Sequence, residues 1–334
     1  MRPLKIRESR LPDLLDRWCS TAEVWAPRAA PGGAVLRPYE PGSDVDLDYG
    51  SFLEPPVVLL SACRSGASAA SERPGRTSGG DVPLVLFGIR PCDAAALELL
   101  DAVPSRSGPT AASGLRPSRA RTVVVLACTC PRMSCFCTSM GGGPAGVRGA
   151  DLLIVPAGGD LLLKRQTARG DELLASSADL LTPAAADVVH SAAETVRAAE
   201  EHVALAVPGD SFGEPSSAFG TAAWRELVES CRGCGVCVTL CPTRGRGESS
   251  AEGGHDDDRP APHGEAPAGG DAPEAGRATL ERRDRWWRDR LERRFGRGSV
   301  ARGGPLCVGC GRCIRYCPAG LDFRSVLRGS WAAR

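Results

Sequence analysis

One cysteine pattern occurs twice and constrains this chain more than any other feature. Cys231, Cys234, Cys237 and Cys241, followed by Pro242, are separated by two, two and three residues, and Cys307, Cys310, Cys313 and Cys317, followed by Pro318, repeat the spacing. Thiolates at two-residue gaps wrap three corners of an iron–sulfur cubane, and the fourth, beside a proline, points at a neighbouring cluster. Crossed ligand sets are therefore expected. One [4Fe–4S] cluster takes Cys231, Cys234, Cys237 and Cys317; the other takes Cys307, Cys310, Cys313 and Cys241. Gly233, Gly235, Gly309 and Gly311 fall between ligands, where tight turns favour a residue without Cβ. Zinc is the competing occupant, but structural zinc sites use two separated Cys pairs, not a stepped run closing on Cys-Pro.

Composition removes several other chemistries. Of 334 residues only Lys5 and Lys164 are lysines and only His190, His202, His255 and His263 are histidines. Schiff-base and P-loop chemistry, and acid–base catalysis on imidazole, have little to work with. The net charge of +1 creates no overall field for nucleic acid or anionic membrane. Residues 1–7 lead into no apolar signal-peptide core, and the longest apolar run, Leu84 to Ile89, falls far short of the roughly 20 residues of a membrane span. The expectation is a cytoplasmic chain whose 15 cysteines serve as metal ligands more than as disulfides.

Residues 1–215 read as an α/β or α+β domain, and 216–334 as an α-helical ferredoxin-like domain. Leu11 to Glu23 has helical apolar spacing. Strand-like runs occupy 57–60, 82–89, 122–128, 151–155 and 160–163. A helix opened by Pro91 lies between the second and third runs, as in a βαβ unit; the last two look like a hairpin. An Ala-rich helix from Pro183 to about Ala206 closes the region. Arg64–Gly80 is expected to be flexible. Residues 243–276 contain no Leu, Ile, Val, Phe, Met or Trp, and are expected to form a disordered insertion. Helices flank both motifs: 222–230, and an Arg/Glu-laced segment 279–295 carrying Leu280, Trp286, Trp287, Leu291 and Phe295. Ten Arg fall between 277 and 302, but Glu281, Asp284, Asp289 and Glu292 intersperse them, so a solvated or docking face is expected rather than a nucleic-acid surface.

A second cysteine set lies upstream. Cys92 follows a strand and opens a helix, Cys128 ends another strand, and Cys130, Cys135 and Cys137 follow. Strand ends and a helix N-terminus can stabilise thiolates at one point. Cys92, Cys128, Cys135 and Cys137 are therefore candidates for a third iron–sulfur or redox centre, against a reading as buried thiols, which is the one given to Cys19 and Cys63. Gly141, Gly143 and Gly146 match G-x-G-x-x-G, yet follow no strand and precede no helix, so no nucleotide site is assigned.

The string Phe87-Gly88-Ile89-Arg90-Pro91-Cys92-Asp93-Ala94-Ala95-Ala96-Leu97-Glu98, then Cys135-Phe136-Cys137-Thr138-Ser139-Met140 with Gly143-Pro144, then the two motifs, resembles one family. It is the iron–sulfur β subunit of cytosolic [NiFe] hydrogenases (sulfhydrogenases) and the A subunit of anaerobic sulfite reductase. The resemblance implies a subunit without catalytic residues of its own. Such a subunit relays electrons between a flavin- and NAD(P)-binding partner and a catalytic partner, a hydrogenase or a sulfite or sulfur reductase, with no nucleic-acid or membrane partner. Members often continue the first motif as Cys-Pro-Thr-Cys-x-Cys. Here Thr243 is followed by Arg244-Gly245-Arg246, so any role of those two cysteines is absent. The alternative function class is a stand-alone iron–sulfur redox sensor, to which only the Arg/Trp segment points.

Overall fold

The computed structural model describes residues 2–57, 82–102, 121–203, 215–244, 272–296, 299 and 304–329. Cys63, the segment Arg64–Gly80 and residues 245–271 of the expected insertion lie outside the described residues. The chain divides into two compact units, 1–133 with 142–203, and 134–141 with 204–334. The short segment 134–141, expected within the N-terminal domain, thus belongs to the second unit.

The first unit is built on β1 (Leu4–Arg7), α1 (Leu11–Cys19), β2 (Glu23–Ala30), β3 (Gly33–Pro38), β4 (Leu84–Ile89), α2 (Pro91–Ala102), β5 (Arg121–Leu126), β6 (Leu152–Ala157), β7 (Asp160–Arg165), α3 (Ala168–Ala175), β8 (Thr182–Pro183) and α4 (Ala186–His202). Among the described residues, eight strands form one sheet in the order β3-β2-β4-β5-β6-β7-β1-β8. β2, β4, β5 and β6 run parallel, and β3, β7, β1 and β8 pair antiparallel along the flanks. The β4–α2–β5 crossover is the expected βαβ unit, and β6–β7 is the expected hairpin. The parallel strands are apolar on both faces, as strands covered on two sides require, so Val85 to Phe87 and Val123 to Leu126 are buried. Leu14, Leu15 and Trp18 bury the apolar stripe of α1 in the same core.

Asp151 links the sheet to α3. Its carboxylate is 3% exposed and accepts from Val123 N–H at 2.9 Å, Thr167 Oγ1 at 2.5 Å and Arg169 Nε at 3.2 Å. A single buried acid thereby satisfies a strand donor and the residue that caps the helix.

Three sequence expectations require correction. Pro56 and Val57 are helical, so the run at 57–60 does not begin as a strand. Strands β1, β2 and β3 were not anticipated, and α4 begins at Ala186, three residues after Pro183, which lies in β8. The interval 243–276 is not disordered throughout: Thr243 is buried, and a helix begins at Ala272.

Candidate metal centre

The second unit holds α5 (Ala222–Ser230), α6 (Val236–Thr239), α7 (Ala272–Phe295), α8 (Arg312–Arg315) and α9 (Arg324–Gly329). Thr221 caps α5, its hydroxyl accepting from Trp224 N–H at 3.2 Å. The Trp224 indole in turn donates to Asp284 of α7 at 2.6 Å, which fixes the two helices together. Phe136, Trp224, Leu227, Trp286, Trp287, Leu291, Phe295, Phe323, Val326 and Leu327 form the apolar core of this unit.

The duplicated motif is also a duplicated backbone. In each copy a left-handed glycine, Gly235 (φ 72°) or Gly311 (φ 69°), opens a one-turn helix, α6 or α8. Its carbonyl accepts from the third and fourth residues on: Val238 and Thr239 in one copy, Ile314 and Arg315 in the other. The fourth cysteine follows each turn, Cys241 N–H donating to Val238 O and Cys317 N–H to Ile314 O. Identical spacing has produced the same turn twice, because a left-handed step immediately before a helical turn selects glycine.

All eight motif cysteines line one cavity, together with Phe136, Trp287, Leu291, Phe295 and Phe323. Among the described residues, no three Cys, His, Asp or Glu side chains gather closely enough to hold a single metal ion. A tetrahedral zinc thiolate site would bring its sulfurs to within roughly 4 Å of each other at Zn–S bonds of about 2.3 Å. Eight thiols around one apolar cavity suit a polynuclear cluster.

The titration of these thiols follows their surroundings. Burial pushes Cys237 up to about 11 and Cys307 up to about 12, and raises Cys313 and Cys231 as well. Buried thiols of this kind stay protonated at neutral pH until a metal displaces the proton. Cys241 is the exception. Burial raises it too, but Arg294, Arg290 and hydrogen bonds from Thr243 outweigh that and lower its pKa. Electrostatic neighbours cross between the motifs: Cys317 acts on Cys231, and Cys241 acts on Cys307 and Cys313, although Cys241 also acts on Cys237 of its own motif.

The long helix α7 has the expected solvated face, with Glu281, Arg282, Arg285 and Asp289 exposed, and a buried face as well. Its buried positions are 279, 283, 286, 287, 290, 291, 294 and 295, a regular helical stripe, and three of them are Arg283, Arg290 and Arg294. Arg283 donates to Cys231 O at 2.6 Å, Arg290 to Cys237 O at 2.6 Å, and Arg294 to Thr243 Oγ1 at 2.8 Å and Leu306 O at 2.9 Å. Thr243 also donates to Leu306 O at 2.8 Å and lies 3.3 Å from Cys241 Sγ. Sequence reasoning missed these residues, although the Arg spacing of seven and four residues places them in register with Trp286, Trp287 and Leu291.

Phe136, between Cys135 and Cys137, is itself a lining residue. It is fully buried, its N–H donates to Gly309 O at 2.9 Å, and its ring meets Phe323 edge-on at 5.9 Å. Cys135 beside it points its thiol at Cys310 O, 3.8 Å away.

The upstream cysteine set divides between the units. Cys135 and Cys137 belong to the second, Cys92 and Cys128 to the first. In the first unit the ends of β4 and β5 are pinned by Arg90, which is fully buried. It donates to Ala127 O at 2.6 Å and to Leu47 O at 3.2 Å, and stacks on Tyr49 at 3.8 Å. Burial raises the Cys128 thiol, and a hydrogen bond to Asp48 at 3.0 Å raises that of Cys130. Cys19, expected to be a buried thiol, is half-buried and donates to Tyr39 O. Gly143 and Gly146 form a turn with no helix after it.

Comparison with known proteins agrees with this geometry. A 4Fe–4S binding domain matches residues 228–244 and 305–320, the two segments that carry the eight cysteines. Over 337 aligned residues the chain is 24% identical to sulfhydrogenase 2 subunit beta of Pyrococcus furiosus, covering 98% of each chain. The chain is homologous to a sulfhydrogenase β subunit. The resemblance drawn from the motifs thus extends over 98% of this chain. Among the described residues, no helix is long and apolar enough to cross a membrane.

Proposed function

We propose that this chain is the electron-transfer subunit of a multisubunit oxidoreductase of the hydrogenase type, relaying electrons through two [4Fe–4S] clusters. A flavin- and NAD(P)-binding subunit stands on one side of the relay and a catalytic subunit on the other. The observation that carries the reading is the convergence of all eight motif cysteines on one cavity lined by apolar and arginine side chains. When bound, a cubane exchanges single electrons at a potential set by its charge, hydrogen bonds and exposure.

The chain's own residues supply the rest. Cys231, Cys234, Cys237 and Cys317 are assigned to one cluster, and Cys307, Cys310, Cys313 and Cys241 to the other, an assignment supported by the crossed electrostatic neighbours. Arg294 and Arg290 favour the thiolate of Cys241 against burial, the form in which a cysteine binds metal. Phe136, Trp287, Leu291, Phe295 and Phe323 give the cavity an apolar wall, and Cys234 is exposed to solvent.

Anaerobic reconstitution of the full chain tests the reading. About eight iron per chain are expected from two cubanes, and about twelve would add a third centre from the upstream cysteines. Cys241→Ser should perturb the cluster held by Cys307, Cys310 and Cys313. Zinc in protein made under iron-replete anaerobic conditions would overturn the iron–sulfur reading, and damage confined to the Cys231 cluster would overturn the crossed assignment.

A further inference from the structure

An indole has one N–H to donate and no acceptor of its own. That of Trp287 is buried, the residue being 4% exposed, and among the described residues no oxygen or nitrogen accepts from it. A buried donor left unmatched is costly, and native structures nearly always supply a partner. The ring is held where it is: Trp286 meets it edge-on at 5.0 Å, and Phe323 lies 6.5 Å away. Its surroundings limit what the acceptor can be. Trp287 lines the cavity of the eight motif cysteines, and among the described residues on that wall the acceptor side chains are their sulfurs and Thr243. Thr243 is already engaged, accepting from Arg294 at 2.8 Å and donating to Leu306 O at 2.8 Å. Sulfur is the acceptor left to the indole. Helical register then says which motif it faces. Arg283, four residues before Trp287, donates to Cys231 O at 2.6 Å, and Arg290, three residues after it, donates to Cys237 O at 2.6 Å. Residues three and four apart share a helix face, so Trp287 stands over the first motif.

We infer that the Trp287 indole N–H donates a hydrogen bond to sulfur of the cluster held by Cys231, Cys234 and Cys237, and raises that cluster's reduction potential. This rests on the two-cluster reading proposed above. Hydrogen bonds to the sulfurs are among the levers that set the potential of an iron–sulfur cluster. A donor binds a charged acceptor more strongly than a neutral one, and more strongly as the charge grows. The reduced cluster, one electron richer, therefore gains more from the bond than the oxidised one. Removing the N–H favours the oxidised state.

The test uses the full chain, reconstituted anaerobically, with isotope-labelled indole nitrogen in its tryptophans and the clusters reduced by dithionite. In the unmodified chain, pulsed paramagnetic resonance should show a coupling to the labelled nitrogen on one cluster's signal, the one that Cys234→Ser perturbs. Trp287→Phe keeps an aromatic ring and removes the donor. It should abolish that coupling and lower the reduced-to-oxidised ratio of the same cluster about fivefold at fixed solution potential. That is roughly 40 mV, at about 59 mV per tenfold change for a one-electron couple. The other cluster's ratio should stay within about twofold. A coupling absent from the unmodified chain, carried by the other signal, or outlasting Trp287→Phe overturns the inference while the two-cluster reading stands. So does a loaded variant in which the ratio moves less than about twofold or moves equally on both signals. Should Trp287→Phe lose its iron, the coupling in the unmodified chain decides alone: its presence on that signal supports the inference and its absence overturns it. An unmodified chain without iron–sulfur signals overturns the two-cluster reading instead.

Discussion

The contact between the second motif and the segment 134–141 can be broken with one methyl group, and the structure supplies its own control. A Cβ added at Gly309 would lie 2.5 Å from the carbonyl carbon and oxygen of Phe136 and 2.6 Å from the nitrogen of Cys137, with φ at +64°. A Cβ added at Gly320 would meet nothing within 4 Å, at a nearly identical φ of +65°. Gly320→Ala therefore carries only the left-handed strain, about 1–2 kcal/mol. Gly309→Ala carries the same strain and a clash with backbone, which cannot swing aside as a side chain can. The segment must leave, losing the Phe136 N–H to Gly309 O bond, worth about 1 kcal/mol, and the burial of Phe136, worth about 3–5 kcal/mol by analogy with Phe→Ala. Gly309→Ala should thus cost roughly 4–6 kcal/mol more than Gly320→Ala in urea unfolding of the iron-loaded protein. Amide exchange at 136 should rise toward the unprotected rate in the first variant alone. Equal losses in the two variants, with exchange at 136 unchanged, would refute the claim that this segment is clamped onto the motif.

Two further outcomes follow from buried polar contacts. Asp151→Ala removes the acceptor of Val123 N–H, Thr167 and Arg169 and should cost about 2–4 kcal/mol in chemical denaturation, Asp151→Asn less; a loss below about 1 kcal/mol would show that water replaces the carboxylate. Burial raises the pKa of Asp284, but hydrogen bonds from Arg288 and Trp224 outweigh it and lower the value, so the folded pKa lies below the unfolded one. Its stabilisation is complete above the unfolded carboxylate range near pH 4 and is lost as pH falls through the folded value. With the carboxylate about a third exposed, the effect should be about 0.5–1 kcal/mol, visible as a difference between Asp284→Asn and the unmodified chain that closes between pH 5 and pH 3. A difference independent of pH would assign the contact to packing instead.

Legibility from sequence tracked how local the cause of each element was. β4, β5, β6 and β7 were readable because runs such as Leu84 to Phe87 and Thr122 to Leu126 carry β-branched and apolar residues that suit a covered sheet. β2 was not, since Glu23–Ala30 holds Pro27 and three alanines. Its pairing with β4 ends at Trp25, before the proline, and the Pro27 ring packs against Gly88, where a Cβ would come within 2.8 Å. Nothing near residue 27 reports a glycine 61 positions away. β1 was invisible for a similar reason: four residues alternating with Lys5 and Arg7 become a strand only beside β7, where Lys5 meets Asp160 at 2.8 Å. The eight motif cysteines stood out in the sequence, because cluster chemistry dictates such a spacing. The arginines beside them did not, because Arg in a helix stripe ordinarily marks the solvent side, and only the thiols opposite reverse that meaning.

The excursion of residues 134–141 into the second unit bears on how the protein is made. The chain passes between its two units three times, so the iron–sulfur unit is not a contiguous stretch of the gene. The strands and helices of the first unit have all been synthesised by His202, yet Phe136 cannot reach its buried state until Gly309 has emerged. At roughly 5–20 residues per second the intervening stretch takes on the order of 10–35 s to translate. For that interval Phe136 and the thiols of Cys135 and Cys137 stay uncovered on the nascent chain. Oxidants, holdases and iron delivery all have access to it in that window, and synonymous codons that lengthen or shorten the stretch's translation set how long the window stays open.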